Sequence, residues 1–316
     1  MITKVFVDGQ EGTTGLKILE FLSNRKDIEI LYIRESKRKD IKERRYLINA
    51  SDITLLCLPT DAARESASLV WNKNTALIDA STMFRTHVDW VYGLPELNLF
   101  QRECIRKSKR VSVPGCHASA FILSIRPLVN AGIVSKSFVA HSYSITGYSG
   151  GGKSMIDNYQ NNLSTEKLMS PRPYALDLMH KHLPEMAVHA GLKYPPIFIP
   201  IVGPFPRGLA LTTYFTPSQL KKRITPKNVQ SILAEHYEDE KFVHVSPFEV
   251  DDKHDSSFFD IQANNGTNRV DLFVFGNKDR FVTIARLDNL GKGASGAAIQ
   301  CMNLIIGVSE DLGLKN

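Results

Sequence analysis

The sequence predicts an α/β fold in which a doubly wound parallel sheet is followed by a second domain of the α+β class. Three observations lead to this prediction. Apolar strand patterns alternate with helix patterns over residues 3–115, which is typical of a parallel sheet covered on both faces. A glycine-rich loop separates the first strand from the first helix. Residues 257–288 instead read as alternating segments joined by short turns, which predicts an antiparallel sheet.

The composition is that of an ordinary globular protein. Of the 316 residues, 43% are hydrophobic and 23% are charged, which is enough to build a sizeable core. No apolar run is long enough to cross a bilayer, and the chain opens on a strand pattern, so we expect no membrane segment and no signal peptide. The four cysteines lie far apart and form no CxxC pair, which argues against a disulfide framework or zinc site and fits a cytoplasmic protein.

The net charge of +6 points to anionic partners. The densest basic run, residues 34–39, is short and mixed with acid, and it lacks aromatic residues that stack on bases. We therefore expect a small anionic ligand and no nucleic acid.

The glycine-rich loop follows the first strand, Thr3–Val7, and leads into a helix near Leu16. Its three glycines are spaced three residues apart. Glycines let the backbone approach a pyrophosphate, and the N-terminus of the following helix attracts negative charge. An ordinary tight turn is the alternative, but the strand and helix on either side favour a Rossmann-like dinucleotide site. The predicted contacts are Gly9, Gly12, Thr13, Thr14 and Gly15.

The end of the second strand, Ile28–Ile33, favours NADP over NAD. A carboxylate at this position normally binds the ribose 2′-hydroxyl of NAD. This sequence instead has Arg34, Ser36 and Lys37, whose cationic and hydroxyl groups suit a 2′-phosphate. A solvated basic loop is the alternative. Pro59, after the apolar third strand, is a further predicted cofactor contact.

Residues 111–123 read as a short strand, a Pro-Gly turn and a helix whose first turn contains Cys116. A thiol at this position meets the positive end of the helix dipole and unpaired backbone N–H groups, both of which favour the thiolate. The same N–H groups can hold an oxyanion that forms beside the sulfur. This motif alone also fits a buried, inert cysteine, and the rest of the chain decides in favour of a nucleophile.

Residues 180–185 contain a candidate for acid–base chemistry. Pro184 interrupts the helix pattern, so we expect one helix to end near His182 and another to start at Pro184. His182 on that turn, oriented by Glu185, can act as an acid or a base. The alternatives are a capping histidine and a metal site formed by His180, His182 and Glu185. No further ligand cluster is visible in the sequence, so no metal is expected.

Two loops carry further candidate ligands. Arg85 follows the strand Ala76–Asp79 and is therefore expected at the carboxyl edge of a parallel sheet, where ligands bind. Residues 146–153 form a glycine-rich loop that ends in Lys153. This loop either lets the backbone approach a ligand or is a flexible connector.

The predicted domain boundary lies after residue 115. Residues 1–115 form the nucleotide domain, which the C-terminal helix within residues 290–316 completes, because its first turn is rich in small residues that pack closely. Residues 116–289 form the α+β domain. The strands expected near its end are Ser257–Ala263, Arg269–Phe275 and Phe281–Asp288.

Six motifs together give the chain a resemblance to a known family. The motifs are Gly9–Gly15, Ser81–Arg85, Gly93–Glu96, Pro114–Cys116, His180–Glu185 and Asp288–Ala297. Their order and spacing resemble those of the short-form (type 2) N-acetyl-gamma-glutamyl-phosphate reductases, within the semialdehyde dehydrogenase superfamily, over nearly the whole chain. Two positions depart from the family, since His117 and Ser119 stand where it usually has Tyr or Phe and Thr.

The resemblance implies NADPH-dependent reductive dephosphorylation of N-acetyl-gamma-glutamyl phosphate to N-acetylglutamate semialdehyde, in arginine biosynthesis. It implies that Cys116 forms a thioester with the acyl group and that His182, held by Glu185, handles the proton. It also implies a homodimer or homotetramer, with the subunit interface in residues 116–289. The alternatives are a sister acyl-phosphate reductase, such as aspartate-semialdehyde dehydrogenase or an aminoadipyl-phosphate reductase, and a non-catalytic NADP-binding redox sensor.

The remaining site residues follow from the same resemblance. Arg85 is expected to hold the phosphate of the substrate. The other predicted substrate contacts are His117, Ser119, Lys153 and Arg207. His117, beside the sulfur, is also a second candidate base after His182, because the family places its base in the His-x-x-Glu segment. The additional predicted cofactor contacts are Gly150 and Asn289.

Overall fold

The computed structural model describes residues 2–161, 166–222, 224–248 and 258–316. The chain divides into two compact units. The first contains the residues up to Gly115 together with Ala294–Lys315, and the second contains Cys116–Gly293 and Asn316. Within the described ranges, no helix is both long and apolar enough to span a membrane.

The first unit contains a six-stranded sheet in which all neighbouring strands are parallel. The strands are β1 (Thr3–Asp8), β2 (Ile28–Leu31), β3 (Ile53–Leu56), β4 (Ala76–Asp79), β5 (Val91–Tyr92) and β6 (Arg110–Ser112). The helices between them are α1 (Thr13–Leu22), α2 (Ile41–Ala50), α3 (Thr60–Ser68) and α4 (Gln101–Lys107). The strand order is β2-β1-β3-β4-β6-β5, so β2 lies on one side of β1 and the later strands lie on the other. This topology confirms the predicted Rossmann-like, doubly wound sheet.

The loops that carry the predicted ligand-binding residues of the first unit lie at the carboxyl edge of this sheet. Every residue of β3 and β4 is buried, as expected for central strands covered on both faces. The register places Asp8, Leu56, Asp79 and Ser112 side by side at the strand ends. The loops that follow β1, β3 and β4 therefore emerge at one edge, where open α/β sheets bind ligands.

The second unit contains a seven-stranded mixed sheet packed against helices. Its helices are α5 (Cys116–Asn130), α6 (Gly152–Asn161), α7 (Glu166–Met169), α8 (Leu183–Ala190) and α9 (Pro226–His236). Its strands are β7 (His141–Gly147), β8 (Arg172–Pro173), β9 (Ile197–Gly203), β10 (Leu209–Phe215), β11 (Val243–Val245), β12 (Val270–Asn277) and β13 (Arg280–Leu287). The order is β11-β12-β13-β10-β7-β9-β8. Most neighbours are antiparallel, as predicted, but β7 pairs with β9 and β11 with β12 in parallel.

Helix α5 is the central helix of the second unit. It packs against α8, α9, β10 and β13, and most of its residues are buried. The hydroxyl of Tyr237, just after α9, donates to the carbonyl oxygen of Leu123 at 2.8 Å. Because close packing fixes this helix along its length, its first residue, Cys116, has a defined position in the unit.

Two predicted elements are wrong. Residues 258–263 form no strand, because Phe259 packs edge-on against Phe273, with 5.0 Å between the ring centroids; Ser257 lies outside the described residues. Residues 174–182 form no helix ahead of α8, since Ala175 and Leu178 adopt positive φ angles of 50° and 58°, which interrupt a right-handed helix.

The last helix, α10 (Gly296–Ile306), belongs to the first unit. Its buried residues, including Ala297 and Met302, share a hydrophobic cluster with Val5 on β1 and Ile18 on α1. A Cβ at Gly93 would lie 2.9 Å from the sulfur of Cys301. The small residues of this segment therefore allow the helix to complete the core of the parallel-sheet unit.

Candidate active site

The glycine-rich loop of the first unit requires glycine at two positions. Gly9 has a φ of +94°, and a Cβ there would lie 2.3 Å from the carbonyl oxygen of Cys57. A Cβ on Gly15 would lie 2.3 Å from the carbonyl oxygen of Gly9. The loop leads from Gly12 into α1, whose first turn, beginning at Thr13 and Thr14, carries no acidic side chain. The N–H groups and positive dipole end of such a helix N-terminus suit a phosphate group.

The turn after β2 is linked to this loop. The side chain of Gln10 donates to the carbonyl oxygen of Ile33 at 3.3 Å. The residues that follow are exposed, but the ammonium group of Lys37 pairs with Asp40 at 3.0 Å. Arg34 is therefore the better placed of the two predicted cations to take a phosphate. The exposed residues of the turn are Arg34, Glu35, Ser36, Lys37, Arg38 and Lys39.

The buried carboxylate of Asp79 organises the loop after β4. It accepts hydrogen bonds from the backbone N–H and the hydroxyl of Ser81, at 3.2 and 2.7 Å. Burial raises the pKa of Asp79 to about 6, against the opposing effects of the Ser81 hydrogen bonds and the charge of Arg85. Arg85 is itself buried and donates to the carbonyl oxygen of Ala80 at 3.2 Å. The loop therefore holds the Arg85 side chain in a fixed place.

Pro59 directly precedes α3 in extended conformation. The hydroxyl of the next residue, Thr60, lies 3.0 Å from the hydroxyl of Thr82. This hydrogen bond joins the loop after β3 to the loop that leads to Arg85.

Cys116 is the first residue of α5 and is half-buried. Gly293 lies directly against it, since a Cβ on Gly293 would be 2.7 Å from the Cβ of Cys116. The segment is anchored by Asp288, whose carbonyl oxygen accepts from the N–H of Gly293 at 3.1 Å. The Asp288 carboxylate accepts from the N–H groups of Leu290 and Gly266, each at 2.8 Å. Glycine at position 293 thus leaves the room that the Cys116 side chain occupies.

His117, next to Cys116, is buried and hydrogen-bonded at both ring nitrogens. Its Nδ1 lies 2.9 Å from the hydroxyl of Ser144, and its Nε2 lies 3.1 Å from the hydroxyl of Tyr174. Burial, together with the charges of His180 and Lys181, holds the pKa of His117 well below its usual value. The imidazole is therefore neutral at neutral pH.

A cluster of three buried histidines, His117, His180 and His182, lies in the same unit as Cys116. The ring centroids of His180 and His182 are 4.7 Å apart, and that of His117 lies 5.3 Å from His180 and 5.5 Å from His182. The N–H of His182 donates to Nδ1 of His180 at 3.2 Å. Glu185 is buried in the first turn of α8, the helix that was predicted to start at Pro184 and that begins at Leu183. Among the described residues, no group of three or more His, Cys, Asp or Glu side chains could hold a metal ion.

Asn289 joins the glycine-rich loop after β7 to the loop before β10. Its side-chain oxygen accepts from the N–H of Gly208, and its amide nitrogen donates to the hydroxyl of Ser149, both at 2.9 Å. A Cβ on Gly150 would lie 3.6 Å from that amide nitrogen. The loop after β7 is therefore held in place rather than being the flexible connector that the sequence also allowed.

The other predicted substrate contacts in this unit differ in burial. Lys153 is exposed on α6, and Arg207 is half-buried in the loop before β10. The hydroxyl of Ser119, one turn into α5, is buried and has no hydrogen-bond partner in the part of the chain that the structure describes. A buried hydroxyl of this kind suits a polar group of a ligand.

Sequence reasoning did not identify Ser144, Tyr174 or Asp288 and treated His180 only as a possible metal ligand. Ser144 and Tyr174 lie on separate strands or just beyond them, and no local pattern marks either residue. The one available signal was the spacing of His180 and His182, which precede a helix opened by a proline.

Two family models match the chain. The model described as "Semialdehyde dehydrogenase, NAD binding domain" matches residues 4–107, and that described as "Semialdehyde dehydrogenase, dimerisation domain" matches residues 116–289. The chain is 46% identical to N-acetyl-gamma-glutamyl-phosphate reductase 2 of Nostoc sp., over 98% of this chain and 99% of the relative. It is 42% identical to N-acetyl-gamma-glutamyl-phosphate reductase of Chelativorans sp., over 97% of this chain and 99% of the relative.

Solved structures share the fold at much lower identity. Aspartate semialdehyde dehydrogenase from Francisella tularensis superposes with a TM-score of 0.75 at 17% identity, covering 97% of this chain and 100% of that chain. Aspartate semialdehyde dehydrogenase II from Vibrio cholerae, in complex with ASA, gives 0.71 at 16% identity, covering 97% of this chain and 99% of that chain.

Proposed function

Since the chain belongs to the semialdehyde dehydrogenase family of oxidoreductases, we propose that it reduces N-acetyl-gamma-glutamyl phosphate to N-acetylglutamate semialdehyde, with NADPH as the reductant, in arginine biosynthesis. The substrate is inferred from relatives of that name at 39–46% identity. The observation that carries the proposal is Cys116, which begins the buried helix α5 in a unit that also holds three buried histidines. None of the four cysteines, all of which lie in the described ranges, forms a disulfide, which supports a cytoplasmic location.

The proposed reaction passes through a covalent intermediate on Cys116. The thiolate attacks the acyl carbonyl, the bond from that carbon to the phosphate oxygen breaks, and phosphate leaves. When bound, the dinucleotide would supply a hydride, and the acyl carbon held on Cys116 would become a hemithioacetal oxyanion. This oxyanion expels the sulfur, so that the aldehyde leaves and the thiolate is restored.

The site residues fit this sequence of steps. The N-terminus of α5 offers backbone N–H groups to an oxyanion beside the sulfur. We assign proton transfer to His182, held by Glu185. We assign phosphate binding to Arg85, whose guanidinium group can donate two hydrogen bonds to a phosphate. The hydroxyl of Ser119 is available for a polar group of the substrate. Arg207 and Lys153 are the remaining cations assigned to substrate, and Lys153 is the more exposed of the two.

The experiment that tests the substrate is the reverse reaction, in which an aldehyde, phosphate and NADP give an acyl phosphate and NADPH. We expect kcat/KM for N-acetylglutamate semialdehyde to exceed that for aspartate semialdehyde by at least about 100-fold. The activity should depend on added phosphate. A preference for aspartate semialdehyde, or for the aminoadipate analogue, would assign the chain to a sister reductase. No turnover of any aldehyde, with NADP bound, would support a non-catalytic sensor.

The glycine-rich loop of the first unit fits a nicotinamide dinucleotide. Without side chains at Gly9 and Gly15, the backbone of the loop packs closely at the N-terminus of α1, where a pyrophosphate can bind. We propose that this dinucleotide is NADP. The proposed contacts to its 2′-phosphate are Arg34 and Ser36, on the exposed turn after β2. Pro59 and Gly150 are proposed as contacts, and Asn289 as the residue that holds Gly150 in place.

Arg34→Ala should weaken the preference for NADPH. We expect the KM for NADPH to rise about tenfold while the KM for NADH hardly changes, since one charge-assisted bond to the 2′-phosphate is lost. The matched variant Lys37→Ala should have a smaller effect, because Lys37 already pairs with Asp40. Steady-state kinetics with both coenzymes measure this, and an equal rise for NADPH and NADH would contradict the assignment.

We also propose that the second unit pairs two copies of the chain, in a homodimer or homotetramer. Apolar side chains on one face of the sheet, including Ile197, Ile199 and Tyr214, are at least one-third exposed. Tyr143 pairs in register with Ile199, and its ring lies 5.9 Å from that of Tyr214. An exposed apolar sheet face of this kind is typical of a subunit interface, and the family description supports the same use.

Ile199→Glu should dissociate this assembly, because burying an unpaired carboxylate at an apolar interface is unfavourable. Sedimentation equilibrium should give a multiple of the 35.4 kDa chain mass for the wild type and a shift toward the monomer for the variant. Leu99→Glu, at a fully solvated position of the first unit, is the matched control and should leave the mass unchanged. A wild-type monomer would contradict the proposal.

A further inference from the structure

A chain of hydrogen bonds runs from β7 to the segment that follows β8. It links the hydroxyl of Ser144, both ring nitrogens of His117 and the hydroxyl of Tyr174. We infer that His117 is a positioning residue, which holds the Tyr174 hydroxyl so that it donates a hydrogen bond to the Cys116 thiolate. This inference rests on the thiol chemistry proposed above and adds a residue to it.

Burial separates the roles of the two aromatic residues. His117 is 2% exposed, and Ser144 is fully buried, so both are fixed within the unit. Tyr174 is 36% exposed, and its backbone N–H is tied to the carbonyl oxygen of Pro200 at 3.0 Å. Its backbone is therefore anchored to β9, while the direction of its hydroxyl depends on the bond to His117.

Tyr174 is linked to the neighbour of Cys116, because its hydroxyl lies 3.1 Å from Nε2 of His117, the next residue in the chain. Burial, and secondarily the negative charge of the ionised Cys116 sulfur, raise the pKa of Tyr174. The phenol therefore stays protonated at neutral pH and keeps a proton to donate. A hydrogen bond donated to a thiolate stabilises the charged form and lowers the pKa of the thiol.

The inference requires the neutral tautomer of His117 that carries its proton on Nε2. A neutral imidazole has one donor and one acceptor nitrogen. When the Ser144 hydroxyl donates to Nδ1, the Nε2 proton is donated to the oxygen of Tyr174, which leaves the phenolic proton for Cys116. The titratable groups near this chain are Cys116, His180, Lys181 and His182.

A phenylalanine at position 117 provides a matched variant. The His117 ring packs against Phe198, with 5.3 Å between centroids, and a phenyl ring can fill this space. The exchange keeps the aromatic packing and removes both hydrogen bonds. Tyr174→Phe removes the hydroxyl at the end of the chain of hydrogen bonds and leaves His117 in place.

The test is the rate of Cys116 alkylation by iodoacetamide between pH 5.5 and pH 9, followed by peptide mass spectrometry. The experiment uses the full chain with Cys104→Ser, because Cys104 is exposed and would react. The other two cysteines should react slowly. Cys301 is buried, and the pKa of the Cys57 thiol is raised, mainly by burial and also by the charges of Asp79 and Asp8. We expect His117→Phe and Tyr174→Phe each to slow alkylation near pH 6.5 about tenfold and to move its midpoint to higher pH.

The double variant should be no slower than Tyr174→Phe alone, because the two residues act in one chain. Tyr194→Phe, at an exposed tyrosine of the same unit, should behave as the wild type. An unchanged midpoint in both single variants, or additive effects in the double variant, would overturn the inference. If His117→Phe fails to fold, Tyr174→Phe and Ser144→Ala decide the matter. A wild-type Cys116 that resists alkylation near neutral pH would instead count against the proposed function.

Discussion

Cys116→Ala is expected to abolish turnover while the chain still binds NADPH. The variant removes the only atom assigned to carry the acyl group, and loss of a covalent nucleophile lowers kcat by roughly three orders of magnitude or more. The proposed NADPH contacts of the parallel-sheet unit do not involve this sulfur, so NADPH affinity should stay within about twofold of wild type. Phosphate-dependent turnover and quenching of NADPH fluorescence measure the two properties separately.

Cys104→Ala is the matched control for this variant. Cys104 is an exposed residue of α4 and should tolerate the same exchange with full activity. Turnover by Cys116→Ala at a rate near that of the wild type would refute the covalent mechanism. Loss of NADPH binding together with turnover would indicate a folding defect, which the melting temperature would reveal.

Gly293→Ala should lower kcat about 100-fold with little change in NADPH affinity. The added methyl group would lie 2.7 Å from the Cβ of Cys116 and 3.2 Å from both the Cα of Cys116 and the carbonyl oxygen of Asp288. A contact of 2.7 Å between carbon atoms is far inside van der Waals distance, so one of the two segments must move. Hydrogen bonds of Asp288 hold the Gly293 segment and close packing holds α5, so relieving the contact shifts Cys116 relative to the Gly293 segment whichever of the two moves.

Gly307→Ala controls for the general cost of adding a methyl group to a glycine. No atom of the described residues lies within 4 Å of a Cβ at this position, although its φ of +78° disfavours alanine. We expect Gly307→Ala to lower the melting temperature and to leave kcat unchanged. A Gly293→Ala enzyme with wild-type kcat would show that the position of Cys116 does not depend on the missing side chain.

Much of the parallel-sheet unit could be predicted because its signals are local. The apolar strands, the spacing of Gly9, Gly12 and Gly15, and the proline-glycine turn before Cys116 each occupy a few consecutive residues. The fully buried β3 and β4 have the continuous apolar runs that a covered parallel strand requires. The position of Cys116 at a helix N-terminus followed from the same local pattern.

The second unit was less predictable because tertiary contacts override its local patterns. The segment at residues 258–263 has strand-like alternation, yet it forms no strand, and Phe259 packs edge-on against Phe273. The parallel pairing of β7 with β9 depends on a long connection that no residue pattern specifies. The positive φ angles at Ala175 and Leu178 likewise break a segment whose composition is compatible with a helix.

The residues around Cys116 were likewise not predictable from local sequence. Ser144 and Tyr174 reach His117 from different parts of the chain, so only the folded sheet brings the three residues together. In the sequence, Lys37 appears as a cation that could bind a phosphate, but in the structure it forms a salt bridge with Asp40, three residues further on. Local sequence thus singled out Cys116 as a candidate nucleophile, and the fold was needed to find the residues around it.

The most direct test of the central claim is to look for the acyl group on Cys116. Wild-type enzyme is mixed with N-acetylglutamate semialdehyde and NADP in the absence of phosphate, so that the thioester forms and has no phosphate to release it. We predict a burst of about one NADPH per chain and an N-acetylglutamyl group on the peptide containing Cys116, which added phosphate removes. Steady phosphate-dependent turnover with no burst and an unmodified Cys116 would contradict the account.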